Sequence, residues 1–339
     1  QKFIQKYPSM PLKIVAGVDG NMKSLNITTF HAMLPQAFDI VMEGKIDNVA
    51  DNSDRDGKVT LNAKSDNIEF LATLAGGMII PSGTSLDGTF LLKGTSVNAD
   101  FILKQFNSNI VNDSIQQNDS IFSIPKVEEE LPKLKGFDVD NALRMLAFFD
   151  WDKKSYEVDL SSIEFDLHKF FPADSMSIFT ANAYAKGEGF DIFSKNTLLS
   201  AKASIKRFDY GSYDLAGFVF DASLADNKVK AELSVDNYEM EIYSDVSGIL
   251  ENNRVKIDLD ANIKRLDWQK LNLADARLQT SQQIKVSFDT NMDEKLSIDA
   301  SMINTTVIAP KRKFKTKDLY VGLKTNADST FAYAKAGDL

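Results

Sequence analysis

The sequence predicts a mostly β protein: a long antiparallel meander of roughly hundred-residue repeats, curled into an open apolar groove, with short helical crossovers. Three observations predict it. Apolar and polar residues alternate with period two over most of the chain, the signature of strands with one buried face. The joints between alternating segments are short and polar, as antiparallel neighbours require. One phrase also recurs: "FDLHKFFPADS" at 165–175 returns as "LDWQKLNLADA" at 266–276, so Asp166 and Asp267 stand 101 residues apart (267 − 166). Lys169 and Lys270 keep the same spacing.

Taken in order, Leu12, Ile14, Ala16 and Val18 open the pattern, followed by Phe38, Ile40 and Met42, and by Val59, Leu61 and Ala63. Val97, Ala99, Phe101 and Leu103 complete a first repeat over residues 1–106. Residues 107–150 read as an insertion. Its first part, 107–136, is polar and then punctuated by proline, which predicts a long loop. Its last part, "VDNALRMLAFF" at 139–149, predicts a helix with Asp140 at the N-cap.

A second repeat covers 151–255 and a third, truncated one 256–339, all within one continuous elongated domain. Here the alternation is cleanest. Phe218, Phe220, Ala222 and Leu224 turn through "ADNK" at 225–228 into Val229, Ala231, Leu233 and Val235. Val255, Ile257, Leu259 and Ala261 follow the "ENNR" turn at 251–254, and Val286 and Phe288 precede Leu296 and Ile298 around "DEK" at 293–295. The meander amounts to about 25 strands, far more than an ordinary sheet holds before it curls or splits.

Each copy of the repeated phrase follows a strand: "YEVDLSSIEF" at 156–165 and "VKIDLDANIKRL" at 255–266. An earlier copy, "VTLNAKSDNIEF" at 59–70, keeps Ile68, Glu69 and Phe70 and then departs into "LATLAGGMIIPSG". The phrase predicts short helices capped by Asp166 and Asp267, with Lys169 and Lys270 in solvent and Asp174 and Asp275 closing each crossover. Such crossovers are expected to carry the chain across the open side of the trough.

The candidate floor of that trough is Phe218, Phe220, Ala222, Leu224, Val229, Leu233, Val255, Ile257, Leu259, Val286, Phe288, Leu296 and Ile298. Alternation alone favours the core of a closed sandwich over a groove. Burial stabilises by about 25 cal/mol per Å² in either case. The number of strands and the regular repeat favour the groove.

Several function classes are excluded. The net charge is −9, and the Lys and Arg residues read as scattered singly along strands, so no basic stripe is expected to track nucleic acid. With no cysteine, disulfides, thiolate metal sites and Cys nucleophiles are ruled out together. His31 and His168 are the only histidines and lie far apart, which leaves no metal-ligand cluster. "KGEG" at 186–189 reads as a strand-end turn, Glu128 to Glu130 as a solvated run, and Trp151 and Trp268 as edge residues. No catalytic triad, P-loop or dinucleotide fingerprint occurs, so no catalytic residue, metal or cofactor is assigned. No run of about 18 apolar residues is present. The chain reads as an internal segment of a longer protein, with any membrane anchor outside it.

Two stretches, "FDLHKFFPADSMSIFTANAYAKGEGFDIFS" at 165–194 and "LLSAKASIKRFDYGSYDLAGFVFDASLADNKVKAELSVDN" at 198–237, resemble the β-rich body of TamB/AsmA-like envelope proteins. The likeness is nearest to the TamB-type proteins of the Bacteroidetes. It is one of pattern and includes no catalytic motif. It implies a non-enzymatic translocation and assembly module of the periplasm and cell envelope, anchored in the inner membrane outside this segment. Such proteins work with an outer-membrane barrel of the Omp85 class and resemble bridge-like lipid transfer proteins. The implied ligands are phospholipid acyl chains, carried between inner and outer membrane in support of outer-membrane biogenesis. The alternative is a chaperone or scaffold that assembles outer-membrane or secreted proteins by β-augmentation.

Overall fold

The computed structural model describes residues 10–66, 68, 79–105, 140–172, 175–211, 213–214 and 216–337. Among them are twenty strands and one 3₁₀ turn, Leu167–Lys169. The fold class is as the alternation predicts: mostly β and antiparallel throughout its described pairings. Contacts divide the chain into two compact units, Gln1–Leu146 with Ser161–Asp174, and Ala147–Leu160 with Ser175–Leu339.

In the first unit, β1 (Lys13–Asn21), β2 (Ser24–Leu34), β3 (Phe38–Asp47), β4 (Asp56–Ser65), β5 (Thr84–Lys93) and β6 (Ser96–Gln105) pair each with the next. Register sets Ile40 opposite Ala63, Ala63 opposite Leu86 and Leu86 opposite Leu103, which gathers the apolar residues on one face. Gly88 leaves room beneath Phe101, whose ring would lie 2.8 Å from any Cβ placed there. A small buried cluster of Leu34, Ala37 and Ile68, with Phe38 against it, closes the β2–β3 end. The stacked rings of Phe165 and Phe170 are 5.2 Å apart, and the carbonyl of Phe170 accepts from the Ile79 amide at 2.8 Å.

The helix expected at 139–149 is instead a strand, β7 (Ala142–Asp150), followed by β8 (Ser155–Asp166). A run this rich in apolar residues satisfies a helical or an extended pattern, and its neighbours decide. Arg144 reaches Asp100 on β6 through two hydrogen bonds of 3.0 and 2.8 Å, and the Gln105 amide donates to Asn141. The long loop expected at 107–136, Glu69, Phe70 and Asp174 lie outside the described residues.

In the second unit the ladder runs β9 (Met176–Glu188), β10 (Leu198–Tyr210), β12 (Phe218–Ala225), β13 (Lys228–Asp236), β14 (Met240–Glu251), β15 (Arg254–Asp267), β16 (Gln279–Thr290), β17 (Leu296–Ala309), β19 (Leu319–Thr325) and β20 (Thr330–Ala336). The short β11 (Tyr213–Asp214) and β18 (Arg312–Lys315) fold back on β10 and β17. No described pairing returns from β20 to β9, so this ladder is not closed into a barrel.

The "ADNK" joint, expected as a hairpin-sized turn, is a two-residue hairpin with Ala225 opposite Lys228. Asp226 and Asn227 have φ of 52° and 59°, the left-handed pair whose twist matches the flanking strands. Asn227 also donates from Nδ2 to the carbonyls of Phe193 and Leu250, at 2.6 and 2.5 Å, tying the neighbouring joints together.

The repeated phrase caps as expected but builds less helix. In the first copy, Asp166 caps a single 3₁₀ turn and accepts from the His168 amide at 3.1 Å. In the second, Asp267 accepts from the Lys270 amide at 3.2 Å, and the chain makes overlapping hydrogen-bonded turns, Leu271 to Asp267 and Asn272 to Gln269, and no helix. Asn272, with φ of 54°, ends it. The lysines are partly solvated, and each also lies near its own aspartate: Lys169 at 3.9 Å from Asp166 and Lys270 at 4.0 Å from Asp267. The second phrase does not carry the chain across an open side. β15 and β16, which it joins, are direct neighbours from Val255 opposite Thr290 to Asp267 opposite Gln279. It is an elaborated hairpin loop, since the ladder resumes in register on its far side.

Candidate apolar binding face

Cross-strand partners in an antiparallel ladder project to the same side. Applied to the second unit, this rule gathers all thirteen candidate floor residues on one face of five strands, β12, β13, β15, β16 and β17, with β14 between them. Phe218 faces Val235, Phe220 faces Leu233, Ala222 faces Ala231 and Leu224 faces Val229. Across β14, Leu233 meets Ser244, which meets Ala261, and Val229 meets Gly248, which meets Ile257. The rows then continue from Val255 to Thr290 and Leu296, from Ile257 to Phe288 and Ile298, and from Leu259 to Val286 and Ala300. Beyond them come Leu323 and Val321 of β19.

Their burial separates the two structures that alternation left open. In a sandwich core these side chains would be buried. Only Leu224 is, at 4% exposure; Phe220 is 38% exposed and the other eleven are half-buried. Within this unit the face is therefore only partly covered. Leu224 and Val235, which faces Phe218, are the buried spots of the face, and the side chains between them keep part of their surface in solvent.

The reverse face is polar and charged. Lys285 lies 3.0 Å from Asp260, Gln283 donates to the same carboxylate at 2.9 Å, and Ser287 donates to Asp258 at 2.7 Å. These hydrogen bonds, with help from Lys285 and Lys256, hold both carboxyls below their ordinary pKa. Tyr333 donates to Asp299 at 3.0 Å, which pushes its phenol above its usual value. A depression of about 500 Å³ on this face is lined by Asp245, Asp258, Asp260, Lys285, Tyr320 and Tyr333 among others, a lining that does not suit an acyl chain.

The repeated charges serve the joint. Burial opposes ionisation of Asp267, yet hydrogen bonds from Gln279 and the Lys270 amide, with the Lys270 charge, hold its carboxyl below the ordinary range. Lys270 also sits over the Tyr238 ring, 2.8 Å from its centroid. Trp268 donates to Thr280 at 2.9 Å, and Trp151 is exposed beside Phe149. Gly189, with φ of 77°, uses its amide on the Lys154 carbonyl, so "KGEG" is a strand-end turn. His31 bonds Asp39 at 2.7 Å, and no cluster of metal-ligating side chains occurs among the described residues.

One feature escapes the description of scattered charge. "PKRKFKTK" at 310–317 carries five cations in seven residues, Lys311, Arg312, Lys313, Lys315 and Lys317, and the whole stretch is exposed. The signal was present in the sequence as a local run.

Fold and site together define a class: a repeat-like antiparallel β meander with one apolar, partly exposed face. No family model, no curated protein and no solved structure matches the chain.

Proposed function

We propose that the chain is a periplasmic segment of a TamB/AsmA-like envelope protein, and that its partly exposed apolar face shields phospholipid acyl chains in transit between the two membranes. One observation carries the reading: thirteen apolar side chains share a face in continuous register, and all but Leu224 remain partly open. Acyl chains are the apolar ligand that such a strip accommodates over its whole length, because contact with a methylene chain needs neither direction nor a defined end. Headgroups stay in water beyond the strip. Shielding of this kind is passive, and direction comes from elsewhere in the system. Native mass spectrometry of the purified chain is expected to find bound phospholipid. A photo-crosslinker at Phe220 or Ile257 should capture lipid, whereas one at Asp258 on the reverse face should not. Equal capture at both faces, or none at either, would refute the reading.

A second reading rests on β1. It pairs only with β2 among the described residues and exposes Ile14, Val15 and Val18 at 59, 60 and 62%. An open edge with apolar side chains fits a scaffold that adds a client strand or an Omp85-class partner by β-augmentation. A crosslinker at Val15 that traps polypeptide, with no lipid on the floor, would favour it.

A further inference from the structure

We propose that the β17–β18 hairpin docks on the surface of a bilayer containing anionic phospholipid. β18 pairs with the end of β17, setting Arg312 opposite Ala309, Lys313 opposite Ile308, Phe314 opposite Val307 and Lys315 opposite Thr306. Lys311 and Lys317 flank it. All five cations are exposed, and none stands in an ion pair among the described residues. The nearest acid in sequence, Asp318, is turned to the Asn304 amide at 3.0 Å. A concentration of positive charge this dense stands out in a chain of net charge −9, and an anionic surface would relieve its repulsion.

The aromatic ring selects among anionic partners. Phe314 is 48% exposed in the middle of the cations, an apolar body held at the level of the charges. Register explains its direction. β17 bulges near Asn304, whose φ is 56°, so side chains of odd number beyond the bulge turn to the apolar face. Thr280, on that face, lies opposite Val307, and Val307 lies opposite Phe314. Phe314 and Arg312 therefore stand on the floor side, with Lys313 and Lys315 on the reverse. A bilayer interface offers phosphates to both sets of cations and an apolar boundary for the ring. Nucleic acid would meet only the charges, beside acidic strands that repel it. The inference does not depend on acyl chains occupying the floor.

The test uses the full chain and vesicles of phosphatidylcholine alone or with phosphatidylglycerol, scored by co-sedimentation. Binding is expected only with phosphatidylglycerol and should weaken as salt rises. Neutralising Lys311, Arg312, Lys313 and Lys315 to Gln should lower partitioning by roughly fivefold per charge removed. These side chains are exposed and repel one another, so the thermal unfolding midpoint should not fall. Phe314→Trp, with the cations intact, should show a blue-shifted emission on phosphatidylglycerol vesicles. Equal binding to neutral vesicles overturns the proposal, as does an undiminished quadruple variant. Preference for a DNA duplex or for inorganic phosphate, with Phe314→Trp emission unmoved by vesicles, also overturns it.

Discussion

Asp221, Glu232, Asp245 and Asp260 stand directly opposite one another on β12, β13, β14 and β15. Strands are about 4.8 Å apart, so this is a row of carboxylates one strand spacing from each other. Its ends are compensated, Asp221 by Lys202 at 3.0 Å and Asp260 by Lys285 at 3.0 Å. The inner pair, Glu232 and Asp245, faces carboxylate on both sides. Asp245→Lys turns two like-charge neighbours into two opposite ones. Each cross-strand pair is worth roughly 0.2–1 kcal/mol, with the low end appropriate to exposed groups, so the exchange should stabilise by about 1 kcal/mol. For a unit of this size that raises the thermal midpoint by roughly 2–4 °C. Asp245→Asn, which removes repulsion without adding attraction, should give about half.

Circular dichroism melts of the three proteins at low salt and at 1 M NaCl would measure it. At 1 M the screening length falls to about 3 Å and the differences should shrink. A gain that persists at high salt would mean strand propensity is responsible. No gain for Asp245→Lys at low salt would mean that these strands do not pair in this register, since a slip of one residue puts Asp245 on the other face. The reasoning about the floor would fail with it.

Three further outcomes are expected. The depressed carboxyls of Asp258 and Asp260 favour the folded state fully above the unfolded carboxylate pKa of about 3.9 and lose that contribution as pH falls through their lower native values. The stability gap between wild type and Ser287→Ala should therefore be flat from neutral pH to about 4 and close below it; urea titrations in which it widens on acidification would contradict the assignment. In Gly322→Ala the new Cβ would overlap the Tyr333 ring, forcing it away and breaking its bond to Asp299. Lower stability and a phenol titrating nearer its ordinary value should follow, and Tyr333→Ala should remove most of the added cost when combined with it. Glu239 is 9% exposed and its Oε2 has no partner, so Glu239→Leu should stabilise by about 1 kcal/mol; a lower urea midpoint would show that the carboxylate is satisfied in solution.

Much of this was legible before any coordinates. The turn at 225–228 could be read because a short polar joint between two alternating segments leaves room only for a hairpin. Asp166 and Asp267 could be read as caps because the side chain of a cap bonds its own local backbone. The segment 139–149 could not be read correctly. Its apolar density suits either period, and the deciding contacts, Arg144 with Asp100 and Asn141 with Gln105, come from residues more than thirty positions away. The phrase at 266–276 was legible as a turn but not as a hairpin loop, since only the pairing of β15 with β16 distinguishes a loop from a crossover. The basic hairpin was legible as composition; its meaning depended on a bulge at Asn304 that turns Phe314 to the floor side.

By itself, the sequence determined which side chains share a face. That follows from period two and short turns, both local properties of the chain. Whether the apolar face would be covered was decided by the tertiary structure alone. Covering it requires a second layer brought from far along the chain, and alternation carries no trace of one. In the second unit Ile257, Leu259 and Val286 remain half-open where a sandwich would have buried them.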